Sequence, residues 1–249
     1  PALGIGIEAA NAFRASPDGT PVTARIVVDA EDYGAQTHVL TADLPGQGPD
    51  WVVLSAHLDG HPHGESAIDN ATGAVVVLAL ARQLGPHIQR CPRGLRLCLT
   101  SAEEWGLVGS RLWLERMAEA ERRAMVLNIN LDSVGGAWGL TALTSGFDRL
   151  DTWIKNIAAQ ADLPIATHLP LMPNSDHANF AAHGIPALRL IAGFNQPDSN
   201  LRLLLTAADT RDKVKPDELS QALKAAAELT WQALIAPAAT LASLAGRSN

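Results

Sequence analysis

What most constrains this chain is an alternation through its middle, where short apolar runs give way to longer stretches of helical pattern. Residues 50–57 (DWVVLSAH), 95–101 (LRLCLTS) and 125–132 (MVLNINLD) read as strands. The first, an apolar run before a Gly/Pro/His loop, suits a strand buried on both faces. Between them, residues 70–84 form an apolar helix that is predicted to stop at Gly85-Pro86, and residues 106–118 form another. The order strand, helix, strand, helix, strand predicts an α/β fold of three layers, α/β/α, with a mixed but mostly parallel central sheet. In such sheets binding residues gather at the carboxyl ends of the strands. His57, Glu103, Glu104 and Asp132 fall there.

The remaining pattern extends the same fold. A helix is expected over 147–161, a short one near Ala178, a strand over 187–191 and a C-terminal helix over 216–234. Ahead of the core, residues 21–29 and 37–43 are rich in Val, Thr and Ile with Pro/Gly around them, and are read as a hairpin. With no internal repeat and no linker, one domain is expected over 1–249. It divides into an N-terminal hairpin region (1–48) and a metal-binding core (49–249).

Charge and apolar content exclude some classes. Against 26 acidic residues stand 19 basic ones, a net of −7, and the basic residues are scattered, which argues against a nucleic-acid partner. The longest apolar stretch, residues 74–81, falls far short of the ~20 residues of a membrane-spanning helix, so the chain is expected to be soluble. Cys91 and Cys98 are too few for a disulfide framework and are expected as free thiols. The chain opens at Pro1 without an initiator Met or a leader pattern, so an upstream segment is expected to have been removed or left out. Cytoplasmic and exported locations both stay open, as does oligomeric state.

Taken singly, the strand-end residues are weak signals. A histidine such as His57 is more often hydrogen-bonded than metal-bound, and Glu103-Glu104 alone fits an acidic turn complementing a helix dipole. Together with Asp69, at the start of a helix, they place an imidazole and several carboxylates in one confined region. Such carboxylates repel one another unless a cation, zinc or a related divalent ion, lies between them. Two adjacent glutamates where a strand turns to loop can both face one cleft, one as ligand and its neighbour carrying a proton.

Five stretches then form an ordered series: SAHLDG (55–60), AIDNATG (67–73), SAEEWGLVGS (101–110), NLDSVGG (130–136) and SDHANFAAHGIPAL (175–188). Over about 52–214 the chain resembles the co-catalytic zinc exopeptidases, which include bacterial leucyl aminopeptidases, glutamate carboxypeptidase and the glutaminyl cyclases. The resemblance implies a metal-dependent aminopeptidase that removes N-terminal residues from a peptide substrate. It implies that His57 and Asp132 bind one metal, that Asp69 bridges two, that Glu104 binds the second, and that Glu103 is the general base toward a metal-activated water. It further implies that Asp59 fixes the tautomer of His57 through a hydrogen bond, that the Asp69-Asn70 peptide is cis, and that Asp176 and His177 lie at the substrate pocket. Ser175 also fits a helix N-cap.

The series departs from the family once. The last ligand is expected as a histidine before a Thr-x-x-Asp-Thr tract, and Leu205 stands there. One zinc site, with His57, Asp69 and Asp132, is then complete, whereas the second keeps only Asp69 and Glu104. Three outcomes are ranked: a mononuclear enzyme, a binuclear one with a substitute ligand such as His61 or His63, and a scaffold that has lost catalysis. A carboxypeptidase or another amide hydrolase would share the same chemistry, while an acyltransferase like the glutaminyl cyclases would need the missing histidine. His38, His87, His168 and His183 are expected at the surface or in packing, and the six tryptophans in the core.

Overall fold

Among the described residues, strands β1 (Leu40–Leu44), β2 (Trp51–His57), β3 (Gly94–Thr100), β4 (Met125–Leu131), β5 (Leu140–Leu143), β6 (Ile165–His168) and β7 (Ala187–Ala192) form one mixed sheet, ordered β1-β3-β2-β4-β7-β5-β6. The central run β3-β2-β4-β7 is parallel, as is β5-β6; β1 pairs antiparallel with β3, and β5 with β7. This is the mostly parallel α/β sheet expected from the alternation. Its middle strands are apolar on both faces because both are covered: Val52, Val53, Leu54 and Ala56 are all 0% exposed.

This computed structural model describes residues 7–15 and 33–246, with positions 25, 27, 29 and 31. It contains two compact units, Pro1–Gln36 and Thr37–Asn249. The described part of the first includes helix α1 (Ile7–Arg14). In the second, α2 (Thr72–Ile88) packs on α7 (Pro216–Ile235), and both cover β2 and β4. Helix α5 (Asp148–Gln160) lies against α7 and β6. A separate group, α3 (Val108–Arg116) against α6 (His177–Ala182), covers β4 and β7 through α6. The short α4 (Glu119–Arg123) leads into β4, and α8 (Ala238–Leu244) packs on α5 and β4.

Several expectations need correction. Of the stretch 37–43, residues 40–43 lie in β1 and pair with β3 in the main sheet; the other arm of the expected hairpin, 21–29, lies largely outside the described residues. Helix α2 runs through Gly85-Pro86 to Ile88. Proline removes only the bond to the Arg82 carbonyl, and Ile88, 1% exposed in the core, anchors the last turn. Strands β5 and β6, of four residues each, are too short to show a period in sequence. Of the tryptophans, Trp113, Trp153 and Trp231 pack partly buried on the core, and Trp51 lies half-buried beneath the Arg96 guanidinium. Trp105 and Trp138, in loops beyond strand ends, are 81% and 57% exposed. Cys91 and Cys98 are free and buried. No helix among the described residues is long and apolar enough to cross a membrane.

Candidate metal centre

Strand register brings the first two side chains together. Because β2 and β4 are parallel neighbours with Ser55 opposite Asn130, His57 at the end of β2 is level with Asp132 just past β4. Asp69 enters from the non-helical kink at Ala67–Ala71, before α2 begins. The His57 Nε2 lies 3.0 Å from Asp69 Oδ1 and 3.6 Å from Asp132 Oδ1. One ligand atom from each of the three residues lies within 4.8 Å of the others. His57 and Asp132 are 1% and 2% exposed. Despite this closeness, His57 Nε2 and Asp69 Oδ1 have no hydrogen-bond partner. A buried imidazole nitrogen and a carboxylate oxygen left unpaired beside a second carboxylate fit the donor set of a divalent metal.

Each of the three is held from behind. His57 Nδ1 lies 3.0 Å from the Asp59 backbone carbonyl and 3.5 Å from the Asp59 carboxylate, so the carbonyl is the nearer acceptor and the expected side-chain bond is the longer contact. A carbonyl can only accept, so Nδ1 carries the proton and Nε2 offers its lone pair. Asp59 Oδ2 also accepts from the Glu104 backbone N–H at 3.1 Å, tying the two halves of the centre. The backbone around Asp69 is gripped by Asp209, 2% exposed, whose carboxylate accepts from the Ile68 and Asp69 N–H groups at 2.7 and 3.1 Å. The Asp69-Asn70 peptide is cis, as the resemblance implied. Asn70 donates to the Leu131 carbonyl and accepts from the Gly73 and Ser133 N–H groups, locking this turn to β4. Gly73 leaves no room for a Cβ, which would overlap the Leu131 carbonyl oxygen and the Asn70 side chain.

Asp132 terminates a buried chain of hydrogen bonds that all point one way. Asn128 donates to the Ser55 hydroxyl, Ser55 to the Asn130 side-chain oxygen and Asn130 to the Ser175 hydroxyl, which leaves the Ser175 proton for Asp132, whose anionic form Ser175 favours. Ser175 therefore serves the sheet, correcting its reading as a helix cap; α6 has no side-chain cap bond. Ser133 also donates to Asp132 Oδ1, at 3.0 Å. On the same oxygen, at 3.1 Å, sits the Arg189 guanidinium, 5% exposed. Burial favours the protonated acid, yet the Arg189 charge and the adjacent His57 ring hold Asp132 well below the usual carboxylate range. For His57, burial opposes the charged ring, but the neighbouring Asp132, Asp59 and Asp69 carboxylates overcome it and raise its proton affinity strongly. The cluster demands a cation at Nε2, whether proton or metal.

Glu103 and Glu104 lie in the turn between β3 and α3. Glu103 is 9% exposed, and burial, with Asp132, Asp176 and Asp69 adding repulsion against an opposing His57, pushes its carboxyl up to about 8. Burial and the nearby Asp69 push Glu104 up to about 7, and its Oε1 lacks a partner. Leu205, at the expected histidine position, is 50% exposed with a left-handed φ of 59°. His61 and His63 contact each other at 4.6 Å between ring centres and join no ligand group among the described residues. Asp176 is wholly buried, its two oxygens taken by Thr100 and Ser110, so it ties β3 and α3 to α6 instead of facing a substrate. His177 is also 0% exposed, with both ring nitrogens unpaired, and burial lowers its pKa to about 3. Asp209 and Arg189 were not singled out from sequence. Arg189 did leave a signal, a lone charge inside the apolar run ALRLIA.

A profile of Peptidase family M28 matches residues 40–230. Leupeptin-inactivating enzyme 1 of Streptomyces exfoliatus is 29% identical over 64% of this chain and 37% of its own length. Aminopeptidase YwaD of Bacillus subtilis is 28% identical over 70% of this chain and 39% of its own. The structure of BSAP, a zinc aminopeptidase from Bacillus subtilis, superposes with a TM-score of 0.72 at 24% identity, over 80% of this chain and 50% of that one. The chain thus spans half or less of the length of these proteins. With that profile covering the sheet, the turn before α2 and all the residues gathered at the centre, the chain belongs to Peptidase family M28.

Proposed function

We propose that this chain carries a single-zinc centre of an aminopeptidase, with His57, Asp69 and Asp132 as ligands and Glu103 as the general base. The observation that carries it is the set of three ligand atoms within 4.8 Å of one another, two of them buried and unpaired. When bound, zinc would supply Lewis acidity toward water and a substrate carbonyl. Glu103, buried and with its proton affinity raised toward neutrality, takes a proton from the attacking water and returns it to the leaving amine. Asp59 positions His57, and through the Glu104 N–H it also positions the glutamate pair. Glu104 is an accessory ligand on the side where Leu205 offers no donor atom. His177, buried with free ring nitrogens, is a reserve contact for substrate.

The test pairs elemental analysis with hydrolysis of aminoacyl chromogenic amides, free and N-acetylated, with and without chelator. Near one zinc per chain, with chelator-sensitive turnover restricted to free amino termini, is the expected result. Turnover of blocked substrates bearing a free carboxylate would favour a carboxypeptidase, and zinc-free, inert protein a scaffold without catalysis.

A further inference from the structure

We propose that Arg189 is a built-in counter-cation that stands in for the charge of a second metal and adapts this centre to a single divalent ion. The inference rests on the metal-centre reading above. Asp59, Asp69, Glu103, Glu104 and Asp132 converge on a region where burial disfavours uncompensated anions. Two divalent ions would neutralise most of such a cluster, but the loop position for the second carries Leu205.

Arg189 supplies a permanent positive charge, since a guanidinium does not lose its proton in a protein. Its place is built. The residue lies on β7, paired with β4 on one side and β5 on the other, so its backbone is fixed within the sheet. Its Nη1 donates to the Asn174 carbonyl at 2.8 Å, and Nη2 reaches Asp132 Oδ1 at 3.1 Å. Nε lies 3.4 Å from the Asp132 carbonyl and Nη2 3.5 Å from the Ser133 hydroxyl, so the guanidinium is directed at the turn that presents Asp132. The charge favours the anionic forms of both Asp132 and Asp69, the two carboxylate ligands. It thereby stabilises the anionic centre without metal, and it repels an incoming cation across the same carboxylate.

The test compares wild-type protein with Arg189→Met, Arg189→Gln and Arg189→Lys. Zinc affinity is read by competition with a chromogenic chelator, and Tm is measured in EDTA and in excess zinc. The expected result is that Met and Gln lower Tm mainly in EDTA, so that the zinc-induced rise grows, and that zinc binds about tenfold tighter. Arg189→Lys stays within about twofold of wild type because it keeps the charge. Gln retains a donor for the Asn174 carbonyl, so it serves if Met does not fold. An ordinary structural ion pair would lower both Tm values alike and leave the zinc-induced rise unchanged, which would overturn the proposal while zinc binding by wild type upheld the metal centre. Wild-type protein that binds no zinc would instead remove the metal-centre reading, and this inference with it.

Discussion

The two sides of the centre are built from different material. On one side His57 and Asp132 end adjacent parallel strands, with His57 Nδ1 engaged by Asp59 and Asp132 held by Ser133, Ser175 and Arg189. On the other, Glu104 sits in a turn with an unpaired oxygen, and the loop position where the resemblance implies a further ligand is a half-exposed leucine. A ligand fixed by strand register cannot be changed without leaving buried partners unsatisfied. A ligand on a loop can be lost cheaply, provided something else keeps the loop in place. Asp209 does that here: four residues beyond Leu205, its carboxylate binds the N–H groups of Ile68 and Asp69. The comparison teaches that this centre divides into a part specified by the fold and a part merely carried on it.

That division can be broken or sharpened by measurement. His57→Ala, on the sheet side, should abolish zinc binding and turnover together; retained zinc by elemental analysis would show that the loop side holds metal alone. Glu103→Gln should keep zinc but lower kcat by about 100- to 10,000-fold, the range for losing a general base, and an unchanged kcat would place the base elsewhere. Acid should weaken zinc binding. Without metal, the neighbouring Asp132, Asp59 and Asp69 carboxylates make His57 hold a proton strongly, and metal must displace that proton from the ring. Apparent zinc affinity, measured by competition from pH 8 to 5.5, should therefore fall by about tenfold per pH unit for each proton displaced. Asp209→Ala should cost about 1–3 kcal/mol by denaturant unfolding, because two backbone N–H groups lose their acceptor. The smallest effect is expected from Leu205→His. It should let a second zinc equivalent bind weakly with little change in Tm, and a large stability change would mean that the loop is less independent than the comparison holds.

The legible part of the site follows the same line. His57, Asp69 and Asp132, whose ligand atoms the structure brings together, stand out in sequence because each closes a strand or precedes a helix, where a parallel sheet gathers its binding groups; Glu103 and Glu104 stand out on the same ground. The cis peptide came from resemblance alone. The role of Asp209 is not legible in the sequence, because its work is done on a backbone about 140 positions away in the chain. The sequence points Asp176 toward the substrate and Ser175 toward a helix cap, yet both are engaged by buried partners, since α6 packs down on β4 and β7. For strand β1 the sequence shows that the segment is extended, but not that it joins β3. Its pairing with β3 depends on register in three dimensions.

The chain of bonds from Asn128 through Ser55, Asn130 and Ser175 to Asp132 bears on engineering. Every proton in it is committed in one direction, so the donor at the far end helps set the orientation of the carboxylate at the near end. Grafting the three proposed ligands onto another parallel sheet would reproduce their spacing but leave Asp132 without the Ser175 and Arg189 contacts that hold it here. A faithful transplant has to bring the interior polar residues of both strands, and the serine just before the adjoining helix, as one piece.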